Sequence, residues 1–189
     1  MKLIYTASQV REAEKPYIEA ADYDGYLMQR AADAVAAEAQ ELLHGKDTAK
    51  ILLLIGPGNN GADTIYAGAR LSAKGHRVDA VIFDPSEKNL ELIAREGGEG
   101  TRVLDPEHTL EHLAGYDLTI DGILGTGSSG AVRGNAGEYL GVLRAAQLDG
   151  KLGADGIEAE KHVRDGRALC QRHRQDRGDE PRRCRNGDG

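Results

Sequence analysis

The chain has 189 residues and a formal net charge of −7, so its length fits one domain and its charge argues against a broad basic surface for nucleic acid. The longest apolar run, residues 51–55, is far below the roughly 18 residues that cross a bilayer. Because the start contains no signal-peptide segment and the two cysteines match no zinc spacing, we expect a cytoplasmic protein without a membrane or nucleic-acid partner.

Predicted helices and strands alternate along residues 1–147. A capping box at Thr6 and Gln9 predicts a helix that ends at Pro16, and apolar residues at helical spacing predict a second helix over 23–43. Strands are predicted over 49–55, 77–83, 101–104 and 116–124, and helices over 61–74, 86–96, 107–114 and 135–146. This order predicts a three-layer α/β/α fold with a mainly parallel sheet.

Residues 148–189 have a different composition. Of these 42 residues, 19 are charged and 7 are glycine, and Cys184 is the only apolar residue after Cys170. Such a segment buries too little apolar surface to offset the entropy lost on ordering. We therefore expect a folded domain over 1–147 and an unpatterned tail over 148–189. The tail is either disordered or the product of a frameshift between about Ala146 and Arg164.

Two loops match the pattern G-x-G-x-x-G. The first, residues 56–61, follows the first predicted strand, and the second, residues 125–130, directly follows the fourth. Glycines allow a tight turn and let backbone N–H groups approach phosphate oxygens. Both loops lie at carboxyl ends of strands, where open α/β sheets bind ligands. The pair indicates a phosphate-bearing ligand, and two glycine turns without a ligand remain the alternative.

The acidic residues near these loops favour different ligands. Asp84 ends the second predicted strand, where an acid holds a ribose hydroxyl in Rossmann dehydrogenases, so a generic NAD-dependent oxidoreductase is one hypothesis. Asp63 is expected in the first turn of the helix over 61–74, where its carboxylate would repel a phosphate. Asn59, Asn60 and Asp63 therefore indicate a polar cluster for a ligand other than a plain pyrophosphate.

Three motifs resemble one known family. Residues 56–63, Gly-Pro-Gly-Asn-Asn-Gly-Ala-Asp, resemble the signature loop of the NAD(P)H-hydrate epimerases, the YjeF N-terminal domain family. Residues 121–127 resemble the family's second motif, and residues 6–11 with 27–31 resemble its helical start. The resemblance spans residues 4–147 and implies a Rossmann-like fold. That fold is expected to be incomplete at the C-terminus, because nothing in 148–189 matches the family's third motif, of the type Asp-x-Pro-Ser-Gly.

The resemblance also implies a reaction. Members of the family interconvert the R and S epimers of hydrated NADH and NADPH, and a partner NAD(P)H-hydrate dehydratase then restores the cofactor. The proton-transfer group would be Asp63 or Asp121, and Asn60 and Asp121 would bind a potassium ion. The substrate would be bound by Asn59, Asn60, Gly61, Ala62 and Asp63 of the first loop and by Gly125, Thr126, Gly127, Ser128, Ser129, Gly130 and Ala131 of the second. A homodimer would be unsurprising.

Alternatives remain open for the function and for two of these residues. The same fold also serves as a non-enzymatic binding or scaffold module, but the presence of Asn59, Asn60, Asp63 and Asp121 favours the enzyme. Asp121 could simply cap a strand end, and Asp63 could simply complement the dipole of its helix.

Three positions depart from the family pattern. Ala62 and Thr64 stand where the family has glycine, and Gly122 stands where it commonly has alanine. If position 62 requires a positive φ, Ala62 is strained by about 1 kcal/mol. Gly122 is expected to loosen the end of its strand.

Overall fold

The computed structural model describes residues 5–97, 100–125, 131–148 and 169–172. Its helices are α1 (Ala7–Ile18), α2 (Tyr26–Leu42), α3 (Asn59–Ala73), α4 (Glu87–Glu96), α5 (Pro106–Glu111) and α6 (Gly134–Leu148), with a short 3₁₀ turn at Leu113–Gly115. Its strands are β1 (Lys50–Ile55), β2 (Arg77–Ile82), β3 (Thr101–Val103), β4 (Leu118–Gly122) and β5 (Leu169–Arg172). The predicted alternation over 1–147 is confirmed, with boundaries shifted by a few residues.

The five strands form one sheet in the order β3-β2-β1-β4-β5. β1 is parallel to β2 and to β4, and β2 is parallel to β3. β5 pairs antiparallel with β4. The mainly parallel α/β fold is therefore confirmed. No helix in the described residues is long and apolar enough to cross a membrane.

The central strand β1 is buried on both faces, which explains its continuous apolar sequence. Ile51, Leu53 and Ile55 belong to the core on the side of α2, α3 and α4. Leu52 and Leu54 belong to the core on the side of α5 and α6. The two cores give the three layers that the alternation predicts.

The first helix runs further than predicted. Both bonds of the capping box are present, with the Thr6 N–H donating to Gln9 Oε1 at 2.9 Å and the Gln9 N–H donating to Thr6 Oγ1 at 3.2 Å. The prediction that α1 ends at Pro16 is wrong, because Pro16 lies inside the helix, which continues to Ile18. Pro16 falls in the last turn, where its missing N–H removes only one helical bond, and the carbonyl left without that donor, of Glu12, belongs to an exposed residue that water can reach.

Strand β5 is not among the predicted elements. It comes from the charged segment 148–189, of which the structure describes only Leu148, the last residue of α6, and these four residues. A strand at a sheet edge pairs through backbone groups, which every residue except proline provides. A composition poor in apolar residues therefore does not prevent this pairing.

Candidate functional site

The two glycine loops meet between β1 and β4. The chain leaves β1 toward β2 and β3 on one side, whereas β4 lies on the other side of β1, so the order of the strands reverses there. Open α/β sheets bind ligands at the carboxyl ends of the strands flanking such a switch point. The Gly56 N–H donates to Gly122 O at 3.2 Å, and a Cβ built on Gly56 would lie 2.0 Å from Ile123 O. The lack of a side chain at Gly56 is what allows the two strand ends to approach so closely.

Helix α3 begins two residues earlier than predicted. Gly58 is its N-cap, with φ −93° and ψ −168°, and the Ala62 N–H donates to Gly58 O at 3.2 Å. Asn59 and Asn60 are therefore the first two helical residues, because the extended backbone of Gly58 places the turn before them. Asp63 lies in the second turn, so the prediction that it complements the dipole from the first turn is wrong.

Ala62 is buried inside α3 and is not strained. In the described residues the only non-glycine positions with positive φ are His44 and Asp84. Helical dihedral angles suit alanine, so having Ala62 where the family has glycine carries no conformational penalty.

Asn60 connects the two loops. Its side-chain Nδ2 donates to Leu124 O at 2.9 Å. Its backbone carbonyl oxygen accepts a bond from Thr64 Oγ1, also at 2.9 Å. The bond to Leu124 uses the nitrogen of the side-chain amide and leaves the oxygen available for another partner. Its neighbour Asn59 is exposed, and Lys88 Nζ of α4 donates to Asn59 Oδ1 at 3.4 Å.

Asp121 lies at the end of β4, beside this connection. Its Oδ1 accepts a bond from the Ile123 N–H at 2.9 Å, so it does cap the strand end as the simpler interpretation predicts. Burial raises the pKa of Asp121, and the bond from Ile123 opposes that shift only in part. The cap occupies one carboxylate oxygen, and Oδ2 remains for a ligand.

Asp63 has the most perturbed environment of the candidate residues. Its Oδ1 is buried and has no hydrogen-bond partner. Burial, together with the negative charge of Glu14 on α1, raises the pKa of Asp63 to about 6, although the positive charge of Lys88 opposes this shift. A carboxyl group that titrates near neutral pH can both give and take a proton, which suits acid–base catalysis.

The donor atoms near β4 fit an alkali cation. The Asn60 amide oxygen and Asp121 Oδ2 are hard oxygen ligands, and such oxygens are what a hard cation prefers. In the part of the chain that the structure describes, no group of three or more His, Cys, Asp or Glu residues could hold a metal ion. Oxygen donors of this kind suit a hard cation better than a soft transition metal, which favours sulfur or imidazole ligands.

The second glycine loop is described only at its two ends. A Cβ on Gly125 would lie 3.4 Å from Asn60 Cβ, so this end of the loop lies against the first loop. Ala131 is exposed and precedes α6. The predicted ligand residues Thr126, Gly127, Ser128, Ser129 and Gly130 lie outside the described residues.

Sequence reasoning missed Asn89 on α4. Its side chain is 1% exposed, and its Nδ2 donates to Gly56 O at 2.8 Å and to Gly58 O at 3.2 Å. The only signal in the sequence is Ser86 three residues earlier, which caps α4 and accepts a bond from the Asn89 N–H at 3.3 Å. This spacing predicts the start of a helix but gives no hint that Asn89 faces the first loop.

A mainly parallel α/β sheet with a glycine loop at its switch point places the chain in the class of doubly wound, Rossmann-like domains. Within this class, the chain belongs to the family described as "YjeF-related protein N-terminus", whose model matches residues 25–160. The resemblance predicted from the three motifs is thereby confirmed.

Relatives with assigned names agree with this family. The chain is 36% identical over 139 residues to the bifunctional NAD(P)H-hydrate repair enzyme Nnr of Corynebacterium glutamicum, which covers 70% of this chain and 23% of the relative. It is 34% identical over 123 residues to the NAD(P)H-hydrate epimerase of Microbacterium testaceum, which covers 65% of this chain and 46% of the relative. The aligned part is thus less than half the length of either relative.

A solved structure supports the fold. The crystal structure of yeast ynu0 superposes with a TM-score of 0.64 at 19% identity and covers 78% of this chain and 67% of that chain. At this level of identity the likeness concerns the fold alone.

Proposed function

We propose that this protein is an NAD(P)H-hydrate epimerase, which interconverts the R and S epimers of hydrated NADH and NADPH. The observation on which the proposal chiefly rests is Asp63, a carboxyl group on α3, the helix that begins in the first glycine loop, with an unpartnered buried oxygen and a pKa raised to about 6. The names of the relatives from C. glutamicum and M. testaceum support the same substrate class.

The reaction requires a proton that can be given and taken back. The carbon to be inverted bears a hydroxyl beside the ring nitrogen, so it is a hemiaminal carbon. When the protonated carboxyl of Asp63 or Asp121 donates to that hydroxyl, the C–O bond breaks, water leaves and the nitrogen lone pair stabilises the resulting cation. Water then adds to the opposite face and returns a proton to the carboxylate, which completes the inversion without net consumption of protons.

Substrate binding depends on the two loops. The first N–H groups of α3 have no helical acceptors and carry partial positive charge, which suits the oxygens of a nucleotide. We assign Asn59, Asn60, Gly61, Ala62 and Asp63 to substrate contact on the first loop and Gly125–Ala131 to the phosphates on the second. Holding the dinucleotide at both loops would fix the nicotinamide ring relative to the catalytic carboxyl group.

Asn60 and Asp121 would hold a potassium ion through the amide oxygen and Oδ2. When bound, the ion would supply positive charge that offsets the Asp121 carboxylate and attracts substrate oxygens. Asp121 would then remain ionised, which leaves the transferable proton to Asp63.

The proposal extends to a second enzyme. Two of the relatives are single chains named bifunctional NAD(P)H-hydrate repair enzyme. A dehydratase that accepts one epimer would use the product of this reaction. A cytoplasmic location and a homodimer remain predictions from the sequence.

Asparagine substitutions test the assignment. The hydrated cofactor is prepared as one epimer, and its conversion to the other is followed by chromatography with wild type, Asp63→Asn and Asp121→Asn. We expect at least a hundredfold loss for the variant that removes the transferred proton, within the range of about 10²–10⁴ for general acid–base catalysis. Glu38→Gln, a charge-neutralising change at an exposed position of α2, is the matched control. Unchanged rates for both aspartate variants would refute the mechanism.

A further inference from the structure

We propose that Asn89 is a positioning residue that holds the first glycine loop in its binding conformation from the side of α4. The catalytic consequence of this proposal rests on the proposed function, whereas its structural part does not. Asn89 is the third residue of α4 and is 1% exposed, so the side chain is shielded from solvent. It therefore acts on the site through the loop and not by touching the substrate.

The side-chain nitrogen of Asn89 binds both ends of the loop turn. Nδ2 donates to Gly56 O at 2.8 Å and to Gly58 O at 3.2 Å. An amide nitrogen carries two hydrogens, so this pair of bonds uses its full donor capacity. Gly56 follows β1 directly and Gly58 is the N-cap of α3, so one side chain ties the end of the strand to the start of the helix.

The bond to Gly58 also sets the direction of an N–H group. In a trans peptide the carbonyl oxygen and the N–H of the next residue point in opposite directions. Because Gly58 O points toward Asn89, the Asn59 N–H points away from it. Fixing this peptide also fixes the start of the helix turn from which Asn60 reaches Leu124 O.

Packing alone does not explain an asparagine at this position. Asn89 Oδ1 is buried without a hydrogen-bond partner, which is a cost that leucine, with the same number of side-chain heavy atoms but no polar group, would not incur. The amide is therefore accounted for by its nitrogen. Aspartate would instead place a carboxylate oxygen where Nδ2 now lies, 2.8 Å from one carbonyl oxygen and 3.2 Å from another.

The space around the amide is tight on the loop side. A Cβ built on Gly61 would lie 3.0 Å from Asn89 Nδ2 and 2.1 Å from Gly56 O. The approach of α4 to the loop thus depends on the absence of a side chain at Gly61. Because Gly61 has no side chain, Asn89 can come close enough to the loop to form its two bonds.

The test compares Asn89→Leu and Asn89→Asp with Ser86→Ala in the full chain without substrate. Ser86→Ala weakens the cap of the same helix and leaves the Asn89 side-chain bonds in place. Amide hydrogen exchange is measured for Ala62, Asp63 and Thr64 and, as an internal reference, for Leu71 at the far end of α3. We expect the two Asn89 variants to lower the protection of the first three amides by about tenfold or more relative to Leu71, as a local opening does. We expect Ser86→Ala to change this ratio by less than about twofold.

Either of two results would overturn the proposal: an unchanged ratio in both Asn89 variants, or an equal change in Ser86→Ala. If one Asn89 variant fails to fold, the other decides the outcome. Epimerase assays then add a second reading, in which Asn89→Leu raises KM and lowers kcat whereas Ser86→Ala does neither. A wild type without epimerase activity would refute the proposed function, and the exchange ratio would still decide the role of Asn89.

Discussion

Gly122 lies at the end of β4, where a side chain would collide with Thr64 of α3. A Cβ on Gly122 would lie 2.0 Å from Thr64 Oγ1, 2.7 Å from Thr64 Cβ and 3.0 Å from Asn60 O. Thr64 is 0% exposed, and rotating its side chain would move Oγ1 but not Cβ. Gly122→Ala must therefore displace either the strand end or the start of α3.

The magnitude follows from these contacts. Overpacking a core by one methyl group costs about 1–3 kcal/mol, and two contacts below 3.0 Å with a β-branched residue place Gly122→Ala near the upper limit. Thr64→Gly removes a buried methyl and the bond to Asn60 O and adds a helical glycine, which together cost about 2–3 kcal/mol. In the double variant the alanine methyl occupies the space that Thr64 vacates, so we expect the summed cost to fall by about 2 kcal/mol.

The coupling between the two positions is measured by urea unfolding, followed by circular dichroism at one pH, of the wild type, the two single variants and the double variant. Gly141→Ala is the matched control, because a Cβ there would meet nothing within 4 Å, and we expect it to stabilise helix α6 by about 0.5–1 kcal/mol. If the costs of Gly122→Ala and Thr64→Gly add to within about 0.5 kcal/mol, the two positions do not share this space and the reasoning is refuted. To the sequence prediction that Gly122 loosens the strand end, the structure adds a specific packing role against Thr64.

Three further predictions concern charged residues. Asp63→Asn should raise the free energy of unfolding at pH 7.5 by about 1–2 kcal/mol after allowance for partial exposure. Because the fold raises the pKa of Asp63 from its ordinary value of 3.8 to about 6 and so disfavours the carboxylate, this gain should shrink as the pH falls below about 6 and vanish below 3.8. A gain in urea unfolding that stays constant over this pH range would contradict the prediction. Asp79→Ala should lower the free energy of unfolding by about 3 kcal/mol, because Asp79 is 0% exposed, accepts a bond from Tyr116 Oη at 2.9 Å and pairs with Arg102. The side chain of Arg102 is mostly exposed, so urea unfolding should show a smaller loss for Arg102→Ala. The Tm of the wild type should be higher in potassium chloride than in choline chloride at the same concentration, and Asp121→Ala should abolish that difference.

Most of the secondary structure could be predicted because its signals are local. The apolar run of β1 and the capping box of α1 each lie within a few neighbouring residues, and the structure contains both. The errors also have local causes. Pro16 was expected to end α1, but one missing bond in an exposed last turn is tolerated. Gly58 was not recognised as an N-cap because its role depends on its extended backbone and not on a side chain.

The sequence by itself determined that Asn60 and Asp121 lie at the same edge of the sheet, because the carboxyl ends of parallel strands share one edge. Only the tertiary structure decided that β1 and β4 are neighbours and that their loops touch at Gly56 and Ile123. The packing of α4 against the first loop, which brings Asn89 to two carbonyl groups 31 and 33 residues earlier in the chain, likewise has no local signal. Periodicity reports which face of an element is buried, whereas the partner buried against that face is selected by the order of the strands and the fit of the side chains between layers.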